Sequence, residues 1–137
     1  MPLPERATWL IRLAAGDLAG ARAILEAQAA PPRLAAYLAH QAVELALKGS
    51  IVSDGSEPPW THDLAGLAAL APERVRSRLT IERLGAFESV RVMGRYPSSD
   101  AELIDRPLAA RLLDDAASMV ETVSVAIDVP ADAREAL

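Results

Sequence analysis

A chain of 137 residues suits one domain around one core. Its 51% hydrophobic content against 4% aromatic, with Ala and Leu dominant, favours an all-α fold built on close helix–helix contacts. A net charge of -5 with no basic tail argues against DNA binding, the absence of cysteine excludes disulfides and thiolate metal sites, and no apolar run is long enough to span a bilayer. The N-terminus, MPLPERATWLIRLAAGD, carries charge too early and too often for a signal peptide, so the expectation is a soluble cytoplasmic protein comprising a single domain over 1–137.

The first predicted helix covers 5–28, with Trp9, Leu10, Leu13, Ala14, Ala21, Ile24 and Leu25 as its apolar face. Asp17 falls among those apolar positions, either solvated at their edge or turned inward and paired with a base on the next helix. Pro31–Pro32 breaks the chain, and a second helix is expected over 33–53. The loop Ser53-Asp54-Gly55-Ser56-Glu57-Pro58-Pro59 is dense in breakers. Thr61 is placed to cap a short helix over 62–70 that carries Leu64, Leu67, Ala68 and Leu70. A fourth helix is expected over 73–94, buried through Leu79, Leu84, Phe87, Val90 and Met93, with Glu88, Arg91 and Arg95 sharing a face. Ser99 and Glu102 have the spacing of a capping box. Asp105 is placed to cap the last long helix, with Pro107 in its first turn and Leu108, Leu112, Leu113, Ala116, Val120, Val123 and Ile127 on its apolar face. Pro130 closes that helix, and 131–137 is expected to fray. The architecture implied is an up-and-down antiparallel bundle of four long helices plus one short one.

The second helix carries the chemistry-bearing residues. At about 100° per residue, Tyr37, His40, Gln41, Glu44 and Lys48 fall on one narrow stripe. The rest of its circumference is Ala, Leu and Val, so the helix is expected to be buried and its stripe to meet protein, a cleft or a second chain. His40 lies one turn before Glu44, whose carboxylate is in reach of its ring; a histidine satisfied in the core is the other reading. Glu44 and Lys48 form an i, i+4 pair in the favourable order. His62 and Asp63 follow the Thr61 cap, as an ordinary helix start or as a phosphate site at its amides. Arg95 and Tyr96 offer a guanidinium and a ring to a nucleotide, or a partner for Glu88 and a cover for the bundle end. The spacing of the two histidines and the acids matches no zinc signature, and neither a metal nor a cofactor is expected.

HQAVELALKG (40–49), THDL (61–64) and GRYP (94–97), together with W-x7-D-L-x2-A (9–21), resemble in order the motifs of the HEPN domain family, over nearly the whole chain. The resemblance implies a four- or five-helix bundle, often a homodimer, of the kind paired with a minimal nucleotidyltransferase in toxin–antitoxin-like systems. Other members are metal-independent ribonucleases, marked by a late Arg-x4-6-His motif. Neither histidine of this chain follows Arg91, Arg95, Arg106 or Arg111; Arg33 and His40 have that spacing but in the wrong helix. The function implied is a module that binds a nucleotide, an RNA or a partner protein through Tyr37, His40, Gln41, Glu44, Lys48, His62, Asp63, Arg95 and Tyr96. Alternatives are a ribonuclease with a divergent site using His40 or His62, and a structural dimeric adaptor.

Overall fold

The computed structural model describes residues 2–28, 30–88, 90 and 104–134. Among these residues all regular elements are helical: α1 (Leu3–Ala27), α2 (Pro32–Ser53), α3 (Leu64–Leu70), α4 (Glu73–Arg76), α5 (Ile81–Ala86), α6 (Arg106–Ala126) and a 3₁₀ helix, Ala131–Arg134. Among the described residues no helix is long and apolar enough to cross a membrane.

A short connection folds α2 back along α1. Asp17 meets Gln41, the Cα of Gly20 approaches Leu38, and Gly49 lies against Ala7, so positions rise along one helix as they fall along the other. The approach is close because the residues are small. A Cβ added at Gly49 would sit 3.4 Å from the Ala7 carbonyl oxygen, and one at Gly20 would sit 3.4 Å from Leu38. Helix α6 starts beside the end of α1, where the Arg106 guanidinium donates to the Leu25 carbonyl, an otherwise orphaned acceptor of a helix end. It finishes near the start of α1, where Arg12 meets Asp132 at 3.3 Å. Helix α6 is therefore antiparallel to α1 and parallel to α2, and α2 packs against both.

The buried face of α1 is not the one its largest side chains suggest. Ala7, Ile11, Ala14, Ala15, Leu18 and Ala21 are buried, while Trp9 and Leu13 are exposed. Ile11 lies two positions after Trp9, about 200° of helix rotation, so both cannot face inward. The core seam here is built largely on Ala, which admits the close approach of α2, with Ile11 and Leu18 filling it, while Trp9 and Leu13 point away.

The helix ends explain the loops. Ser53 ends α2 in a Schellman motif: the Gly55 amide donates to the Val52 carbonyl at 2.9 Å and the Ser56 amide to the Ile51 carbonyl at 3.2 Å. Gly55 has φ of 85°, the left-handed conformation that motif requires and glycine adopts freely. Helix α6 ends the same way through Asp128, at φ of 58°, with the Asp128 amide on Val125 and the Val129 amide on Ser124. The α6 helix therefore stops before Pro130 is reached. Asp105 caps its start as expected, accepting from the Leu108 amide at 2.9 Å.

Three boundaries differ from expectation. Helix α3 begins at Leu64 with Asp63 as its N-cap residue; Thr61 Oγ1 instead accepts from the Asp63 amide at 3.1 Å, so His62 lies in the approach to the helix and not in its first turn. Leu70 is exposed, since Leu64 and Leu67 define the buried side of this short helix. The expected helix over 73–94 is interrupted: α4 ends at Arg76 and α5 restarts after Thr80, with Leu84, Phe87 and Val90 buried beyond it. Met93, and the proposed contacts of Arg91, Arg95, Ser99 and Glu102, lie outside the described residues. At the C-terminus the expected fraying meets a docked 3₁₀ helix, with Ala133 buried and Arg134 bonded to Glu121 at 2.8 Å; residues 135–137 lie outside the described residues.

Candidate functional site

Helix α2 is continuous through the whole polar stripe, and the stripe is shielded. His40 and Glu44 are buried, and Tyr37, Gln41 and Lys48 are partly so. A buried carboxylate must be paired, and Glu44 is paired twice. Lys48 Nζ donates to its Oε2 at 3.0 Å from the next turn of the same helix. On the other side His62 Nδ1 meets its Oε1 at 2.7 Å, brought there by the loop that follows α2.

The imidazole on Glu44 is therefore His62 and not His40. Glu44 commits its oxygens to Lys48 and His62, while His40 turns its ring edge-on toward Phe87, with centroids 6.4 Å apart and planes at 65°. His40 is buried on α2 with its ring edge against Phe87, the residue that follows α5. This pairing of residues 18 positions apart could not be read from helical spacing, which only ranks neighbours on the same helix.

Chemically, the carboxylate fixes the His62 ring. A neutral imidazole whose Nδ1–H donates to Glu44 presents Nε2 as an acceptor. The His62 side chain is about half exposed, against 9% for that of Glu44 and 19% for that of Lys48. The cluster is thus a buried anion flanked by a shielded ammonium and an accessible imidazole. It can accept a proton at Nε2 or, with His62 protonated, present two cationic groups to an anionic ligand.

One turn earlier on α2, Gln41 Nε2 donates to Asp17 Oδ2 at 3.0 Å. The inward reading of Asp17 holds, but its partner is an amide and not a base. Burial pushes the Asp17 carboxyl above the usual carboxylate range, and the bond from Gln41 holds it partly back. Asp63 is exposed at the start of α3, its carboxylate folded over Gly66. Tyr37 is half-buried on the stripe. Arg95 and Tyr96 lie outside the described residues. Among the described residues no group of three or more His, Asp or Glu is arranged to hold a metal ion.

Sequence reasoning passed over Trp60. It stands two residues before His62 and is fully exposed. The signal was present in Pro58-Pro59-Trp60, a bulky ring placed directly after two residues of fixed φ. A separate groove of about 620 Å³ opens between the first turns of α1 and the chain beyond α6, with Trp9 in its wall; none of the stripe residues lines it.

The family model for the HEPN domain matches residues 7–126. The crystal structure of TT1696 from Thermus thermophilus is similar to this chain at 26% identity and a TM-score of 0.73, over 88% of this chain and 98% of that one. No curated protein matches the sequence.

Proposed function

The chain belongs to the HEPN domain family, and from that premise we propose that it is a binding module: a homodimer that takes a nucleotide or an RNA end at the Glu44–Lys48–His62 cluster and works beside a minimal nucleotidyltransferase in a toxin–antitoxin-like pair. The observation that carries this reading is the double pairing of buried Glu44. Burying a carboxylate costs stability that its bonds to Lys48 and His62 offset only in part, so its use in the fold is better sought in what it orients than in stability. What it positions is the half-exposed His62 ring. The two histidines of the chain stand at 40 and 62, so the late Arg-x4-6-His signature of the nucleolytic branch is not part of the sequence.

Titration calorimetry with AMP, ATP and a short single-stranded RNA tests the binding arm. Saturable binding is expected for at least one of them, with His62→Ala weakening it at least tenfold while the melting temperature stays near that of the parent. Capture of a co-expressed nucleotidyltransferase tests the partner arm. Correctly folded protein that gives no heat and captures nothing overturns the proposal.

The 2.7 Å contact of Glu44 with His62 Nδ1 favours a second reading. A carboxylate-held imidazole with its other nitrogen toward solvent is the geometry of a general base, and RNA cleavage needs such a base near a 2′-hydroxyl. Incubation with labelled RNA in EDTA separates the two. Intact RNA, or cleavage that survives His62→Ala, removes the second reading.

A further inference from the structure

Trp60 is the most exposed large apolar side chain among the described residues, whereas the one Phe of the chain is wholly buried. A Trp left in water forgoes the burial of about 150–250 Å² of ring surface. Its place in the chain limits what that ring can meet. His62 lies two positions after Trp60, so their Cα atoms are at most about 7 Å apart. A ligand that touches the His62 imidazole is therefore within reach of the indole.

The backbone that carries Trp60 is braced. The Thr61 amide donates to the Pro59 carbonyl at 2.9 Å, closing a γ-turn with Trp60 at its centre. Pro58 and Pro59 fix φ immediately before it. Glu57 before the turn is tied to Arg6, through Nη2 at 2.8 Å, and His62 after it is tied to Glu44. Only the two side-chain torsions of the indole remain to be ordered by a ligand, a small entropic cost for a large flat surface.

Charge alone makes the neighbouring cluster a weak grip on a nucleotide. Glu44 offsets Lys48, so the cluster has one positive charge in excess when His62 is protonated and none when it is neutral. Lys48 is also largely shielded. Asp63, next to His62, is an exposed acid, and the chain as a whole carries a net charge of -5. A long run of phosphates is therefore repelled, and affinity has to come from another part of the ligand. A nucleotide has one other large recognition surface, the flat face of its base. Stacking of a base on an aromatic ring strengthens binding by roughly tenfold or more, and an indole is well suited to it.

We propose that Trp60 is the platform on which the base of the bound nucleotide stacks while its phosphate lies against His62. The site then takes a nucleoside monophosphate, free or as the end of an RNA strand, and holds it by its base more than by its charge. The inference rests on the nucleotide-binding reading above and names the part of the ligand that carries affinity. Trp60 is thus a specificity-determining residue of the site, with purines preferred because their larger rings cover more of the indole.

Calorimetry of the full chain with AMP and with ribose 5-phosphate, which keeps the sugar and phosphate and lacks the base, tests it. The parent is expected to bind AMP at least tenfold more tightly than ribose 5-phosphate. Trp60→Ala is expected to bind the two alike, with Trp60→Phe in between; circular dichroism checks that each variant is folded. In a Trp9→Phe background AMP is expected to quench the emission of Trp60 saturably, and ribose 5-phosphate to leave it unchanged. A short 5′-phosphorylated RNA is expected to depend on Trp60 in the same way. RNA binding at least tenfold tighter than AMP assigns the ligand to a strand end, and equal affinity to the free nucleotide; the platform stands in both cases. Equal binding of AMP and ribose 5-phosphate by the parent, or a preference for AMP that survives Trp60→Ala, overturns the platform and leaves the cluster as a phosphate site. Loss of nucleotidyltransferase capture in Trp60→Ala with the preference for AMP intact assigns the ring to a protein partner and overturns it as well. A folded parent that binds neither AMP nor RNA overturns the nucleotide-binding reading and this inference together.

Discussion

Glu44 decides the character of the site, because it is the one acid on a helix that is otherwise apolar around most of its surface. Its neutral isostere keeps the shape and loses both charge-assisted bonds. Glu44→Gln is therefore expected to lower stability by about 1–3 kcal/mol, read from a urea unfolding curve, with Lys48 left shielded and without its counter-ion. Asp17 makes the opposite case. Its carboxyl titrates higher in the folded chain than in the unfolded one, so folding is penalised when it is ionised. The penalty is absent below the usual carboxylate range, where both states hold the proton, and grows as pH rises through the raised native value. Asp17→Asn keeps an acceptor for Gln41 and removes the charge. It is expected to raise the urea midpoint at pH 7, by an amount that shrinks as the solution is acidified; no shift in midpoint at pH 7 would contradict this account.

At the scale of elements, the two Schellman ends invite a matched comparison. Gly55 already meets its left-handed conformation at no cost, whereas Asp128 meets the same requirement with a side chain. Asp128→Gly is expected to stabilise the protein by up to about 1 kcal/mol in thermal or chemical unfolding, because the strain of the left-handed region is relieved. Phe87 closes the short segment after α5 and packs on His40. Its truncation to Ala is expected to cost about 3–5 kcal/mol. The long elements were legible because their signals agree: Pro at the helix starts, Asp105 as a cap, and apolar residues at three- and four-residue steps through α6. The segment from 73 was not, since its basic, amphipathic pattern continues across 77–80 where the chain breaks between α4 and α5. On α1 the expected apolar face held at Ala14, Ala21, Ile24 and Leu25 and failed at Trp9 and Leu13, for a related reason. Weighting by size favoured Trp9 and Leu13, while a close helix pair is built on Ala.

For the whole molecule, the class of fold followed from composition and periodicity, and the stripe of α2 was located from one helical wheel. Its partners were not. The contact of His62 with Glu44, the bond of Gln41 to Asp17 and the placing of Trp60 beside the site all depend on how separate segments return to α2, which no local pattern encodes. The net charge of -5 bears on assembly as well. Two such chains repel at long range, so a homodimer is expected to persist or tighten as salt rises from low to moderate concentration, measured by sedimentation.

The bond from Arg106 to the end of α1 joins positions 81 residues apart. Helices α1 and α2 can find each other across a connection of a few residues, a fast and local search, whereas α6 must wait for the intervening chain to be made and gathered. On the ribosome the Ala-lined hairpin is complete while the flank of α2 that α6 will cover is still bare. That interval is when the nascent chain is most open to aggregation or to a chaperone, and the arrival of α6 ends it.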